Sequence, residues 1–466
     1  MSKLLRGLIT VLTLIIIWLI PTPQGLEAEA WQLLAIFIAT IVGLILQPLP
    51  MGAIVLIAVT FTALSGTLSL DDALAGFANS VVWLIVMAFL FARGFIKTGL
   101  GQRIAYLMIK RFGKSSLGLS YAIVGSDLIL APATPSNTAR AGGVLFPIVR
   151  SLCNSYDSEP GPTAGKLGSY LMVTVFQANL VTSAMFMTAM AANPLVVELS
   201  AEHLGVQLDW ATWALAASVP GIISLILIPI LFYKIYPPEI KQTPEAAEFA
   251  DNELKKLGPM TFNEKVMLGV FVLALVLWAT GQLHDIGGTT VALLGVGLLL
   301  IAGVLEWKDV LNENGAWNAL IWFGGLVAMA SGLGELGFID WFTEQVQAGV
   351  ADMGWFTAYI IIALVYFYAH YGFASMTAHV TAMFVPFATV AIAAGAPAYM
   401  VALTLGFFSN LNAAMTHYGT GPAPIYFGAG YVELGKWWKL GFLTSVIFVV
   451  IWLGLGSVWW NIIGLI

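Results

Sequence analysis

The sequence predicts an all-α polytopic membrane protein with about eleven transmembrane helices. Two observations indicate this fold class, namely the apolar composition and the repeated long apolar runs. Hydrophobic residues make up 59% of the 466 residues and charged residues only 9%, whereas roughly 25% of an average soluble domain is charged. Single Cys153 excludes a disulfide framework and a cysteine-based metal site. Runs close to the ~18–20 apolar residues that cross the hydrocarbon core recur at 7–20, 31–46, 211–233, 266–280, 288–304 and 440–463.

The first apolar run has the basic start of a signal peptide, in the segment MSKLLRGLITVLTLIIIWLIP. A small-x-small cleavage site does not follow it, because 21–24 read PTPQ, and further spans come after it. We therefore expect this run to be retained as the first helix.

Lys and Arg mark the cytoplasmic ends of membrane helices, and here they cluster near 3–6, 110–114, 150–166, 234–265, 308 and 436–439. The turns between these clusters carry acidic residues instead, as at 27–29, 71–72 and 285. Placing every basic cluster on the cytoplasmic side of the membrane predicts a cytoplasmic N-terminus and an external C-terminus. We expect the protein to lie in the cell inner membrane. The longest polar stretch, 237–265, is then a cytoplasmic linker with a short helix.

The chain also contains an internal repeat, which two neighbouring offsets reveal. At an offset of 239, the segment SNTAR (136–140) overlays SMTAH (375–379), and Pro147 overlays Pro386. At an offset of 230, Met185 and Pro194 overlay Met415 and Pro424. Two related halves joined by a polar linker are typical of secondary transporters.

The two copies differ in the sign of their charge. The segment before the first motif carries Arg93, Lys97, Arg103 and Lys110, whereas its counterpart carries Glu335, Asp340, Glu344 and Asp352. The positive-inside rule then directs the two copies to opposite sides of the membrane. This pattern predicts an inverted-topology repeat.

Each copy contains a segment that is too long for one crossing and too short for two. The first has prolines 132 and 135 in its middle, which cannot continue a helix, and basic residues on both flanks. We expect a re-entrant helical hairpin whose tip lies near mid-membrane; the second copy has no basic flanks and should enter from the outside.

The predicted division of the chain follows from these spans and repeats. It is 1–80 for N-terminal scaffold helices, 81–236 for the first repeat with hairpin 117–152, 237–265 for the linker, 266–317 for the scaffold helices of the second half, and 318–466 for the second repeat with hairpin 356–394.

The two tips are the candidate binding site. Non-helical backbone at membrane depth is tolerated only where it is buried in protein or lines a wet cavity. Helix N-termini attract anions, and a charge at such depth typically marks a substrate pathway. Matching TAMAANP (188–194) and GTGPAP (419–424) segments carry prolines that should unwind two long helices beside the tips. The predicted anion-binding residues are Ser136, Asn137, Thr138, Ser375, Met376, Thr377, Thr188, Asn193, Thr420, Gly421 and Pro422, with Arg140 and His379 adding positive charge.

Purely structural roles for the same residues stay open at this point. Arg140 could pair with Asp127, one hairpin arm away, and a single hydroxyl often only bonds to its own helix. His370 and His417 read as hydrogen-bonded core histidines, because neither belongs to a metal-binding spacing such as HExxH. We expect no cofactor and no resident metal.

PSNTAR and ASMTAH, each followed by a proline, resemble the divalent anion:sodium symporter family over nearly the whole chain. Within that family, the branch of 2-oxoglutarate/malate translocators and citrate/succinate antiporters is the most similar. The resemblance implies a homodimer, a static scaffold domain, a mobile transport domain and elevator-type transport of di- or tricarboxylates. Candidate substrates are 2-oxoglutarate, malate, succinate, fumarate and citrate.

The resemblance also implies that, in sodium-coupled members, both tips read SNT and help to cage Na⁺. Here Met376 replaces the second Asn, and a thioether is a poor ligand for a hard cation. Arg140 and His379 are then expected to replace the two sodium charges.

These features predict sodium-independent, obligate exchange of carboxylates rather than catalysis. The alternative is a symporter coupled to Na⁺ or H⁺. An intramembrane enzyme using His370, His379 and His417 lacks paired acids or a metal motif, and a channel would show no trans-stimulation.

Overall fold

The computed structural model describes residues 2–350 and 354–466, so Asp352 lies outside the described residues. The described chain is helical throughout, apart from turns and one isolated bridge between Ser115 and Gln242. Ten helical segments within it are long and apolar enough to cross a membrane. The predicted all-α polytopic fold is therefore confirmed.

The helices of the first half, in chain order, are α1 Lys3–Leu19, α2 Ala28–Leu46, α3 Met51–Ser65, α4 Leu70–Ala75, α5 Ser80–Thr98, α6 Leu100–Phe112, α7 Ser116–Leu130, α8 Phe146–Ser155, α9 Gly168–Met185, α10 Ala192–Leu204 and α11 Trp210–Ile235. The linker contains α12 Pro244–Leu257. The second half consists of α13 Phe262–Ala279, α14 Gly281–His284, α15 Gly288–Ile301, α16 Trp307–Leu311, α17 Asn314–Glu335, α18 Phe338–Val350, α19 Trp355–Tyr368, α20 Met376–Ala393, α21 Ala398–Leu411, α22 Pro422–Gly428, α23 Leu434–Val449 and α24 Gly456–Ile462.

Elements follow one another in the same order in the two halves, starting from α2 and from α13. Their packing is reciprocal as well: α3 packs on α17 and its counterpart α15 packs on α5, while the counterparts α9 and α21 pack on each other. The first half has α1 in addition, which packs on α2.

Each half contains a helix that stops and restarts inside a predicted hairpin. In the first, α7 ends at Leu130, a short 3-10 turn follows, and Thr134 is extended. A π-helix, Thr138–Leu145, then leads directly into α8. In the second half, α19 ends at Tyr368 and α20 restarts at Met376 after an extended Ser375.

A second interruption in each half lies earlier than the prolines suggest. The extended residues at the breaks are Phe186 after α9 and Thr416, which follows a 3-10 turn at the end of α21, whereas Pro194 and Pro422 lie in the first turns of the helices that restart. The expectation that these prolines unwind helix middles is therefore wrong in position. Proline lacks only an N–H that has no helical partner in the first turn, and its φ suits that turn.

The linker is bound to the base of the first hairpin. The Thr243 hydroxyl donates to the Gly113 carbonyl at 2.8 Å, and the Ser116 N–H donates to the Lys241 carbonyl at 3.0 Å. α12 packs along α6, where Lys110 contacts Asp251 at 2.5 Å. The following helix α13 begins at Phe262, three residues before the predicted end of the linker at residue 265.

Arg103 and Glu264 should stabilise the junction of α6, the linker and α13. Their side chains are 11% and 3% exposed, and Glu264 also caps the Thr261 N–H. Glu264→Gln retains the cap but removes the charge, so we expect a loss of roughly 2 kcal/mol and a lower midpoint of thermal unfolding in detergent.

Glu253→Gln is the matched control, because its partner Lys256 is 71% exposed and exposed pairs contribute little. Equal unfolding midpoints for the two variants would contradict the role of the Arg103–Glu264 pair.

Candidate functional site

A cavity of about 280 Å³ lies between the two helix interruptions that the motifs predicted. We call it the tip cavity; this volume is near the lower end of the ~300–1,000 Å³ of small-molecule pockets. Seven of the predicted residues line it, namely Ser136, Asn137, Ser375, Met376, Thr377, Thr420 and Gly421. The two tips, 134–138 and 373–377, therefore meet at one place in the fold.

Ser136 and Ser375 have the same position relative to the two restarting helices. The Ser136 hydroxyl oxygen accepts the Ala139 N–H at 3.1 Å, and the Ser375 hydroxyl oxygen accepts the Ala378 N–H at 3.3 Å. An oxygen that accepts in this way still has its own O–H to donate. Each tip therefore offers a hydroxyl donor at the positive end of a helix, as a carboxylate requires.

The segment 419–421 fits tightly against the first tip. The Asn137 amide donates to the Thr420 hydroxyl at 2.9 Å. Gly421 lies so near Thr138 that a Cβ at this position would overlap the Thr138 hydroxyl. Glycine at 421 is therefore required by close packing, and Thr138 contributes to the wall behind the cavity.

Arg140 is completely buried and lies in an ion pair with Asp127, at 2.8 Å between Nε and Oδ1. Its Nη1 donates to the carbonyls of Thr134 and Ala189, and its Nη2 donates to the Ser183 hydroxyl at 2.9 Å. Of the two roles that the sequence left open for Arg140, pairing with Asp127 is the one observed. Asp127 therefore cancels the positive charge that Arg140 was expected to add to the site.

His379 is buried as well, but no carboxylate among the described residues forms an ion pair with it. Its Nδ1 lies 3.1 Å from Nδ1 of His370 and 2.7 Å from Nδ2 of Asn412. Its ring stacks between Tyr366 and Phe373, with centroid distances of 4.5 and 4.8 Å. His370, interpreted from the sequence as a core histidine, donates through Nε2 to the Gly419 carbonyl at 2.8 Å.

The surroundings of Arg140 and His379 are made from equivalent positions of the repeat. Asp127 corresponds to Tyr366 at the offset of 239, and Asn179 corresponds to Ser409 at the offset of 230. The Asn179 amide donates to Asp127, and the Tyr366 hydroxyl bonds to Ser409 at 2.7 Å in the same way. The two copies differ in that the first contains an ion pair and the second contains two uncharged aromatic rings beside a histidine.

Besides Thr138, three of the predicted anion-binding residues lie outside the lining of the tip cavity. Thr188 donates to the Pro132 carbonyl at 2.5 Å, and Asn193 donates to the Ser183 carbonyl and accepts from Asn410. Pro422 begins α22 behind the cavity. Because these three residues contact the protein around the cavity and do not line it, we expect them to position the tips rather than to contact a ligand.

The sequence did not identify the remaining lining residues, which are Phe89, Pro135, Met190, Ala191 and Ala374. Met190 and Ala191 belong to the TAMAANP segment, which already pointed to this region. Phe89 comes from the middle of α5 and carries no sequence signal, because an apolar side chain within a membrane helix is unremarkable.

The whole chain, residues 1–466, matches the profile of a family described as the sodium:sulfate symporter transmembrane region. A protein of Bacillus subtilis strain 168 named as a candidate malate transporter, YflS, is 53% identical over 464 residues, which are 99% of this chain and 97% of YflS. Dicarboxylate transporter 1 of Spinacia oleracea chloroplasts is 50% identical over 461 residues, covering 98% of this chain and 81% of that protein.

Among solved structures, the YdaH transporter of Alcanivorax borkumensis has a similar fold. Its TM-score is 0.58 at 13% sequence identity, and the match covers 87% of this chain and 88% of that one. At this identity the likeness extends to the fold alone.

Arg140→Ala should severely destabilise the protein, because it leaves Asp127, only 1% exposed, as a buried charge without its partner. The expected cost is roughly 3–5 kcal/mol, seen as a large fall in the unfolding midpoint or in the yield of monodisperse protein. The double variant Asp127→Asn/Arg140→Met removes both charges and should recover much of this loss.

Arg150→Ala is the control, since Arg150 is exposed in the same hairpin arm. If Arg140→Ala is as stable as Arg150→Ala, the buried pair does not support the first tip.

Proposed function

The chain belongs to the sodium:sulfate symporter transmembrane family, the divalent anion:sodium symporters that its motifs resemble, and on that premise we propose that it exchanges di- and tricarboxylates across a membrane. This membership identifies a multi-pass membrane transporter rather than an enzyme. The proposed substrates are 2-oxoglutarate, malate, succinate, fumarate and citrate. Relatives named as malate and dicarboxylate transporters, up to 53% identical, support this class.

One observation carries the substrate class: the tip cavity lies between two serine-capped helix starts that have the same geometry. Each start offers a free hydroxyl donor and the positive end of a helix. A molecule with a carboxylate at each end has one partner for each tip. Met376, Met190 and Phe89 supply apolar surface for the carbon chain between the two carboxylates.

Sodium independence follows from the side chains that lie at the two tips, namely Arg140, His379 and Met376. The Arg140 guanidinium bonds to the Thr134 carbonyl of the first tip, and His379 lies one turn into the helix that follows the second. In sodium-coupled members of the family, cations are implied at these tips. Here Arg140 and His379 stand beside the two tips, and Met376 stands where the family resemblance implies an amide oxygen for Na⁺.

Obligate exchange follows from the cost of moving an empty cavity. Without a ligand, the hydroxyl groups and helix ends of the two tips would cross an apolar surface with their hydrogen bonds to water removed. A bound dianion satisfies these donors and offsets the positive ends of the helices. The positive potential therefore arises from the helix ends, since Asp127 cancels Arg140.

An elevator is the movement that suits this arrangement. We assign the hairpins and the broken helices to a transport domain, and α2, α3, α13, α15 and α17 to the scaffold of a homodimer. A mostly apolar space of about 490 Å³ is lined by α2 and α17 together with α10, α18 and α20. A mostly apolar surface offers few hydrogen bonds that would resist sliding. The charge pattern of the loops further supports an inverted repeat, a cytoplasmic N-terminus and a place in the cell inner membrane.

In proteoliposomes containing the purified chain, labelled 2-oxoglutarate should enter vesicles loaded with malate and should not enter empty vesicles. Replacing external Na⁺ with choline should leave the initial rate unchanged. Uptake that requires Na⁺, or that is equally fast into empty vesicles, would contradict sodium-independent exchange.

Gly421→Ala should reduce exchange by more than tenfold, because the new methyl group displaces Thr138 and the first tip. Adding Thr138→Ala removes the hydroxyl that this methyl group meets, so the double variant should recover part of the rate. Gly428→Ala is the control, since a Cβ at residue 428 has no neighbour within 4 Å. Full exchange by Gly421→Ala would refute the close packing of 419–421 on the first tip.

A further inference from the structure

Two buried imidazole rings face each other behind the second tip. His370 and His379 are each 0% exposed, and their Nδ1 atoms are 3.1 Å apart. Two nitrogen atoms at this distance form a hydrogen bond only if one of them carries a proton and the other does not.

The remaining partner of His370 determines where protons can be. Its Nε2 lies 2.8 Å from the Gly419 carbonyl, which can only accept, so Nε2 of His370 carries a proton. If His370 also provides the proton between the two rings, it becomes an imidazolium ion. If His379 provides that proton, both rings are neutral and Nε2 of His379 is a bare acceptor.

Asn412 can accommodate both of these states. Its side-chain amide lies 2.7 Å from Nδ1 of His379. With the NH₂ group towards the ring, Asn412 donates to a bare Nδ1 on His379, and the Nδ1 proton of a protonated His370 is directed at the same lone pair. With the amide rotated, its oxygen shares the single Nδ1 proton of a neutral His379 with Nδ1 of His370. The amide thus provides a partner for the pair with and without its extra proton.

Carboxylates do not compensate a charge at this place. Among the described residues, the ion pairs include neither His370 nor His379, and Tyr366 is the titratable group of α19 that stacks on His379. The other titratable groups on the helices that pack against α20 are Glu29 on α2, Glu198, Glu202 and His203 on α10, Asp340 and Glu344 on α18, Tyr359 and Tyr368 on α19, and Tyr399 on α21.

We propose that His370 and His379 form a single proton-binding site that takes up one proton from solvent when a dicarboxylate dianion enters the tip cavity. This inference rests on the proposed function for the identity of the dianion. The pair is connected to the cavity on two sides, because Gly419 precedes the lining residues Thr420 and Gly421, and His379 follows the lining residue Thr377.

The contrast with the other half of the repeat assigns this role to the histidines. Arg140 and Asp127 form a pair of fixed and opposite charge that does not change when a ligand binds. His379 occupies the position equivalent to Arg140, and its pair with His370 can be neutral or singly positive. A dianion nearby stabilises the positive state, because opposite charges attract strongly where water is excluded.

Linkage then determines the sign of the pH dependence. If binding takes up one proton, lowering the pH favours binding and raising the pH opposes it. The dissociation constant should rise by up to tenfold per pH unit over the range in which the free site is unprotonated and the occupied site is protonated. Asp251 of the linker stays ionised over this range, since Lys110 and Lys255 lower its pKa to about 2.

The test is isothermal titration of the full-length chain in detergent with fumarate, a rigid dicarboxylate whose two carboxyl groups stay ionised from ~pH 6 to 8.5. Repeating the titration in buffers of different ionisation enthalpy gives the number of protons taken up per fumarate bound. We expect a value near one at the pH where the dissociation constant changes most steeply. His370→Gln and His379→Gln should each bind fumarate with proton uptake near zero and a flat pH profile.

His417→Gln is the control, because His417 contacts Trp438 outside this pair and should leave proton uptake unchanged. Fumarate binding by the wild-type chain with no proton uptake throughout this range would overturn the proton site while leaving carboxylate binding intact. Full uptake retained by both histidine variants would also overturn it. A chain that binds no carboxylate at any pH would refute the proposed function, and the linked proton with it.

Discussion

Four helices that stop and restart within the protein impose the constraint on which the rest of this structure depends. Each interruption frees backbone carbonyls that lipid cannot satisfy, and buried side chains satisfy several of them. Arg140 donates to the carbonyls of Thr134 and Ala189, which joins the first hairpin break to the break after α9. In the second half, His370 donates to the Gly419 carbonyl. The same hydrogen bonds keep the interruptions open and bring them together as the walls of one cavity.

The two halves meet this constraint with different charges. Asp127 neutralises Arg140, so the first half supports its tip with a permanent ion pair. The second half supports its tip with two histidines, an amide and a stacked tyrosine, all buried. A duplicated framework thus combines one place where the charge is fixed with one where it can vary. The proposed proton site then lies beside the segments that line the tip cavity.

The sequence predicted the tips well because helix packing in lipid does not by itself require the same polar motif twice. Seven of the predicted residues line the tip cavity, whereas Thr188 and Asn193 bond to the backbone around it. Sequence could not separate these groups, because an uncharged polar residue near a helix break can either bind a ligand or satisfy the chain. The proline positions misled for a related reason, since proline is found both at helix breaks and in the first turn after them.

By itself, the sequence determined the all-α membrane fold and the pairing of the two motifs, because lipid solvation selects apolar runs and allows polar interruptions only at protected places. Only the tertiary structure decided which partners those polar groups have. Asp127 is thirteen residues from Arg140, and Asn412 is 33 residues from His379. Such contacts depend on how the helices pack, and they decide whether a buried nitrogen is a fixed charge, a neutral donor or a site for a proton.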